Sequence, residues 1–188
     1  MPIVVAGDPV LRRSSEPYQF SLQPALFSSL IQAMRETMLA APGVGLAAPQ
    51  IGLGIRLAVI QDLAVLAPEV AKIRGRAVLP FRVLVNPSYT PVGSQLATFY
   101  EGCLSVPGYQ AVVQRPTSVR LRAQDHNGTE IDEIVSGWAA RIVAHEIDHL
   151  AGLLYLDKAL TRSLTSVANY VAHWANPTPA QAGVGLGF

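Results

Sequence analysis

His145-Glu146-Ile147-Asp148-His149 is the segment from which the rest of this chain can be read. Two histidines four apart on a helix project from the same face, one turn over the other, so both imidazoles can reach one metal ion. Glu146 then lies beside that ion, where a carboxylate can take a proton from an activated water. The flanks read as helix: Gly137 is a start, Trp138, Ile142, His145 and His149 recur at helical spacing, and Gly152 lies near the end. The competing reading is a polar helix face with two incidental histidines. With only four histidines in the chain, that coincidence is the weaker explanation.

A catalytic site of this type needs a third protein ligand. Zinc proteases of the longer HExxHxxGxxH type place it six residues after the second histidine; the chain matches as far as Gly152, but Tyr155 occupies the ligand position. No glutamate follows Glu146, so a glutamate from a later helix is excluded. His126, Asp157, His173 and the single cysteine, Cys103, remain, and a thiolate is the strongest ligand among them.

The 188 residues suffice for one domain with a substantial core. Half of them are hydrophobic and 14% are charged, a globular balance. A net charge of +1 gives no electrostatic case for binding nucleic acid, and Lys72, Arg74 and Arg76 read as a solvated loop. One cysteine rules out an intrachain disulfide and fits a reducing compartment. Met1 to Asp8 has neither the basic start nor the apolar run of a signal peptide. The uncharged stretch from Thr37 to Ile55 is too rich in Pro and Gly to be a membrane span. The expectation is a soluble cytoplasmic protein with no membrane partner.

Leu22 to Leu39 predicts an amphipathic helix with Leu26, Leu30, Ala33, Met34, Thr37 and Met38 on its apolar side, ended by Pro42-Gly43. Gly43 to Gln50 is irregular and glycine-rich. Arg56 to Asp62 reads as a strand and Leu63 to Pro80 as an excursion of mixed charge. Phe81 to Asn86, Gln95 to Tyr100, Ala111 to Arg115, Ser118 to Ala123 and Glu130 to Val135 are short β-rich runs. Pro87, Gly93, Pro107-Gly108, Pro116 and Asn127-Gly128 punctuate them, the last as a hairpin signal. A final helix is expected from about Ser163 to Trp174. Strands followed by a histidine-bearing helix indicate an α+β fold: antiparallel sheets packed around a central metal-binding helix, with an N-terminal and a C-terminal helix. Residues 1–174 are expected to form one catalytic domain, and residues 175–188, rich in Ala, Gly and Pro, a loosely attached tail.

Gly43-Val44-Gly45-Leu46-Ala47-Ala48-Pro49-Gln50, Glu101-Gly102-Cys103-Leu104-Ser105 and His145-Glu146-Ile147-Asp148-His149 occur in that order. Together they resemble the three signature motifs of peptide deformylases, metal hydrolases that remove the formyl group from N-formylmethionine on new polypeptides. Each motif alone is only moderately specific; the ordered set is very specific. The likeness runs from about Gly7 to Asp157 and includes Asn86-Pro87 and Ser136-Gly137-Trp138. The Trp138 version is similar to the branch that includes mitochondrial enzymes, whereas Leu104 is similar to bacterial ones, so the bacterial cytoplasm is expected over the mitochondrial matrix.

The resemblance implies Cys103 as the third ligand beside His145 and His149, leaving a fourth position open. It implies one divalent ion, Fe(II) natively, with zinc or nickel in isolated protein; the ligand set does not choose among them. Glu146 is implied as the proton shuttle, and the Gln50 amide and Leu104 backbone N–H as donors to the formyl oxygen. Gly45, Val44, Gly102, Trp138 and Ile142 are implied to bind the substrate, an extended N-formylmethionyl peptide or nascent chain met at the ribosome. Gly45 is expected to be side-chain-free so that the peptide can approach. Glu101 and Arg115 are implied to pair behind the cysteine loop. Two rivals stand beside this reading: an HExxH endopeptidase using His126 or His173, and a non-catalytic module that binds metal or peptide.

Overall fold

The computed structural model describes residues 1–20, 24–176 and 178–188. Helix α1 (Pro24–Ala40) buries Phe27, Ile31, Met34 and Met38, positions 3 to 4 apart that form one stripe. Of the expected stripe Met34, Thr37 and Met38 are buried, while its N-terminal part moves over by one row, from Leu26, which is 66% exposed, to Phe27 and Ile31. Both rows are apolar, and Phe27 is selected because it stacks on Tyr18 with ring centroids 4.3 Å apart. The expected start at Leu22 lies outside the described residues.

Strands β1 (Gly45–Ala47), β2 (Leu57–Asp62), β3 (Leu79–Pro91), β6 (Ser118–Gln124) and β7 (Glu130–Ser136) form a five-stranded antiparallel sheet in the order β1-β2-β3-β6-β7. All six residues of β2 are buried, which explains its unbroken apolar run Leu57-Ala58-Val59-Ile60. Alternation sorts these residues by face. Leu57, Val59, Val83 and Val85 pack with α1, while Ile60, Leu84, Val119 and Leu121 pack with Ala140, Val143 and Ile147 of helix α3 (Gly137–Leu150).

The second sheet, in the order β4-β5-β8, comprises β4 (Leu96–Cys103), β5 (Val106–Pro116) and the two-residue β8 (Thr165–Ser166). Leu11, Val106, Ala111, Val113, Leu154 and Tyr155 form a separate cluster associated with it. Helix α3 contacts strands of both sheets, so the expected α+β arrangement of antiparallel sheets around a histidine-bearing helix is what the chain adopts. Among the described residues no helix is long and apolar enough to cross a membrane.

Four local expectations differ. Pro87 lies inside β3, where the register shifts between Val85 and Ser88 and Asn86 takes φ 50°; a bulge absorbs the proline's missing donor. The excursion at Leu63 to Pro80 contains helix α2 (Pro68–Arg74), too short to show a period in sequence. The helix expected from Ser163 is replaced by a 3-10 turn (Thr161–Ser163), β8, a short α4 (Val167–Asn169) and a π-helical turn (Tyr170–Trp174). The expected tail carries helix α5 (Ala180–Leu186), with Ala182 buried and Gly185 against the Trp174 ring. Small side chains that weaken a helix in isolation are what permit that close approach.

The start of α3 is held by a contact between two glycines. Trp138 N–H donates to the Gly75 carbonyl at 3.0 Å, and Gly137 takes φ +65° with its backbone against Gly75. Gly137→Ala is expected to destabilise the fold by roughly 2 kcal/mol or more, since a left-handed residue with a Cβ already costs about 1–2 kcal/mol. Its new Cβ would also meet the Gly75 oxygen at 2.3 Å. Gly54→Ala, with open space around it, is expected to be neutral or to stabilise by ~0.4–1 kcal/mol in the same urea titration. Equal effects of the two substitutions would refute the contact as a constraint.

Candidate metal centre

Cys103 ends β4 at a bulge: Gly102 pairs with Gln110, but Cys103 pairs with Val106. That irregularity redirects the cysteine toward α3. Its Sγ lies 3.2 Å from His149 Nε2, and the ligand atoms of Cys103, His145 and His149 are all within 4.8 Å of one another. Tetrahedral coordination by sulfur and nitrogen would place such donors on the order of 3.5 Å apart. One thiol and two imidazoles, already converged, therefore fit a divalent transition metal, and they leave one position open. The other candidates from sequence are elsewhere. His126 is exposed in the β6–β7 turn, His173 is exposed on the π turn, and the Asp157 carboxylate accepts from Leu154 N–H at 2.7 Å and pairs with Arg12.

Glu101, the next-but-one residue before Cys103, sets the orientation of the first histidine. Its Oε2 is 2.9 Å from His145 Nδ1, which leaves Nε2 directed to the centre. The same carboxylate receives Arg115 Nε at 2.6 Å and Nη2 at 2.9 Å, and Arg141 Nη1 at 2.5 Å. Arg115 also donates to Asp148 at 2.8 Å, and Asp148 receives Lys158 at 2.7 Å. Burial alone would raise the Glu101 acidity range; hydrogen bonds to His145 and Arg115 and the Arg115 charge outweigh it and hold the carboxyl far below its ordinary value. The Glu101–Arg115 pair expected from sequence is thus present. Arg141 and Asp148 were not anticipated, although Arg141 lies one turn before His145, a spacing that puts both on one helix face.

Glu146 is fully enclosed, and burial pushes its pKa up to about 7. Its Oε2 has no hydrogen-bond partner among the described residues. Gly45 explains how it fits: a Cβ at Gly45 would lie 2.2 Å from Glu146 Oε1 and 2.5 Å from its Cδ. The glycine makes room for the glutamate, a constraint beside the expected peptide approach that the sequence did not reveal. Gln50 is 1% exposed, and its amide orientation is fixed from both ends. Oε1 accepts Ala47 N–H at 2.8 Å, while Nε2 faces Ser105 Oγ at 3.3 Å and Cys103 Sγ at 3.6 Å. Ser105, fully buried, is a supporting residue that sequence reading missed.

A cavity of ≈ 550 Å³ opens beside this centre. It lies where two unpaired sheet edges, β1 and β4, come together. Val44, Gly45, Gln50, Gly102, Leu104, Trp138, Ile142 and Glu146 all line it, with Cys103 and His145 at its floor; His149 is beneath, fully buried. Ile142 serves both as wall and as core, at 4% exposure. The cavity also takes in Arg74 and Arg76, which read in sequence as a solvated loop but lie over Trp138, and Tyr100 and Tyr170, for which sequence reading found no role.

Glu101→Gln is expected to destabilise the protein by about 3–5 kcal/mol, because buried Arg115 and Arg141 lose their shared counter-charge. It should also weaken metal affinity by about 10- to 100-fold through loss of the His145 partner. Unchanged urea stability together with unchanged metal affinity would refute the role given to Glu101.

Residues 1–164 match the sequence model of the polypeptide deformylase family. The chain is 60% identical to peptide deformylase 1 of Streptomyces coelicolor, over 100% of this chain and 86% of that protein. It is 49% identical to the peptide deformylase of Bifidobacterium adolescentis, over 100% of this chain and 86% of that one. Among solved structures it resembles Arabidopsis thaliana peptide deformylase 1B bound to an inhibitor. That match has a TM-score of 0.72 at 36% identity and covers 87% of this chain and 83% of that one. The Synechococcus elongatus peptide deformylase in complex with actinonin matches with a TM-score of 0.71 at 34% identity, over 85% and 80% of the two chains. With a family match across most of its length and close relatives across all of it, the chain belongs to the polypeptide deformylase family.

Proposed function

We propose that this protein removes the formyl group from N-formylmethionine at the start of newly made polypeptides, releasing formate and a free amino terminus. The observation that carries this reading is the convergence of Cys103, His145 and His149 beside Glu146 at the floor of a cavity bounded by two free sheet edges. Cys103, His145 and His149 would hold the metal, and a divalent ion bound there supplies Lewis acidity toward water and the formyl carbonyl. Iron(II) is the native ion in this proposal, with zinc or nickel as substitutes; the family resemblance supports it, and metal analysis of protein purified without oxygen tests it.

The chain's own groups account for the remaining chemistry. Glu146 accepts the proton of the attacking water, and its elevated pKa lets it return that proton to the departing amine nitrogen as the C–N bond breaks. The Gln50 amide and the Leu104 N–H donate to the formyl oxygen as negative charge builds there. Gln50 needs no rearrangement, because Ala47 already fixes which end of its amide is the donor. The substrate lies extended between the edges of β1 and β4, its backbone completing strand pairing as in sheet augmentation. Val44, Trp138 and Ile142 form the pocket for the first side chain in this proposal, and Gly102 is a further substrate-binding residue; all four line the cavity. Nascent chains at the ribosome in the bacterial cytoplasm are the physiological substrate in this proposal.

Formate release from formyl-Met-Ala-Ser is the direct test, with acetyl-Met-Ala-Ser as the control whose extra methyl crowds the attacked carbon. Absence of formate release from metal-loaded protein overturns the proposal and favours a non-catalytic binding module; equal rates point to a broader amidase. Replacing Cys103, His145 or His149 with Ala should abolish both bound metal and formate release. Full metal occupancy in any one of the three would remove that residue from the ligand set, and retention by Cys103→Ala would favour the endopeptidase alternative. Glu146→Gln should keep metal content and peptide Kd while kcat falls about 10²- to 10⁴-fold. Turnover within a few-fold of wild type would require another base.

A further inference from the structure

Asp148 is the acidic residue of the His145–His149 segment to which the proposed chemistry gives no task. It is 5% exposed, and both of its oxygens are occupied. Oδ2 accepts Arg115 Nη1 at 2.8 Å; Oδ1 accepts Lys158 Nζ at 2.7 Å and the Tyr89 hydroxyl at 3.2 Å. These donors come from β5, from the 3-10 turn Tyr155–Lys158 and from β3. Lys158 reaches the carboxylate from the surface. Its side chain is 34% exposed, a degree of exposure at which an ion pair usually contributes little to folding. Its backbone is nonetheless held on both sides. Before it, Asp157 accepts Leu154 N–H at 2.7 Å and pairs with Arg12. After it, Ala159 bridges to Val113, and Leu160 N–H donates to the Val112 carbonyl at 2.9 Å. Partial burial would lower the Lys158 pKa, but its hydrogen bond and charge contact with Asp148 outweigh that and raise it, so the ammonium stays charged.

We infer that Lys158 is a positioning residue for the metal centre, acting through Asp148, Arg115 and Glu101 on His145. The inference rests on the metal-centre reading of Cys103, His145 and His149. Arg115 has one guanidinium for two buried carboxylates. Its Nε and Nη2 bind Glu101 at 2.6 and 2.9 Å, which leaves Nη1 for Asp148. Lys158 supplies Asp148 with a second positive charge, so this carboxylate is satisfied without drawing further on the guanidinium. Without the ammonium, Oδ1 would keep only the longer bond from Tyr89, and Asp148 would compete with Glu101 for Arg115. Glu101 Oε2, which accepts Arg115 Nη2, is the same oxygen that meets His145 Nδ1 at 2.9 Å. A shift of Arg115 toward Asp148 therefore moves the atom that orients the imidazole. Partners on the outer nitrogen of a ligating histidine govern how tightly the metal is held.

The test uses the full chain loaded with Co(II), whose visible spectrum reports the geometry of its thiolate and imidazole ligands, and follows loss of Co(II) to excess EDTA. Lys158→Met keeps the aliphatic stem and removes the charge. It should release Co(II) about tenfold faster than wild type, the lower end of the effect of losing a partner outside the ligand shell, with shifted ligand-field bands. Lys158→Arg should restore both properties, and Tyr89→Phe, which loses only the 3.2 Å bond, should change them by less. Arg120→Met breaks the exposed pair with Asp132 and should leave both as in wild type. Urea titration of each metal-free variant separates folding from metal retention. Unchanged release and spectrum in Lys158→Met overturn the inference even if its urea midpoint falls, because a lysine that only stabilises the fold would give that result. Equal acceleration in Arg120→Met, or failure of Lys158→Arg to restore the bands, also overturns it. Wild type that takes up no Co(II) is a different result: it refutes the metal-centre reading itself, and the inference with it.

Discussion

The Glu101 carboxylate is the point at which the second sheet and the central helix are tied together. It sits on β4, two residues before Cys103, and takes hydrogen bonds from Arg115 on β5 and from Arg141 on α3, while contacting His145. A buried carboxylate can remain charged only where such partners surround it. Each of those partners is itself fixed elsewhere: Arg141 donates to the carbonyls of Val113 and Ala97, and Arg115 to Asp148. The ligand triad inherits its geometry from this arrangement. Cys103 is carried by the same strand as the carboxylate, and His145 is oriented by it directly.

Around that fixed centre, missing side chains matter as much as those present. Gly45 leaves the space in which Glu146 sits, and Gly137 lets the start of α3 abut Gly75. The first places a proton acceptor next to the triad; the second docks the excursion helix against α3, bringing Arg74 and Arg76 over Trp138 at 5.3 and 5.4 Å. One glycine therefore serves the chemistry of the centre and the other the shape of the cavity. In both cases the contact is backbone to side chain or backbone to backbone across a long sequence separation.

The cavity arises from a property of sheet topology. β1 and β4 are each the terminal strand of their sheet, and unpaired edges facing a common space can accept an extended peptide. A chain whose edges were both capped would have the triad without a place for substrate backbone. Residues beyond the family match then add a further side to the same space, through a two-residue strand that pairs with the edge of β5.

His145 and His149 four apart on a helix, with Glu146 between them, are local facts, and the sequence alone sufficed to place them on one face of α3. The β-rich runs and the Asn127-Gly128 turn were legible for the same reason: alternation and turn chemistry act over a few residues. Comparison with known motifs added Cys103 and Gln50, which the residues by themselves left among alternatives. The N-terminal part of the α1 stripe, the bulge at Pro87, Arg141 on Glu101, Ser105 behind Gln50, and Tyr170 at the cavity mouth were not legible. Each depends on which surface arrives opposite, and that is decided by packing between segments far apart in the chain. Local pattern determined the elements and their chemistry-bearing faces; only the tertiary structure decided what those faces meet, because contact energy belongs to the pair and not to either partner alone.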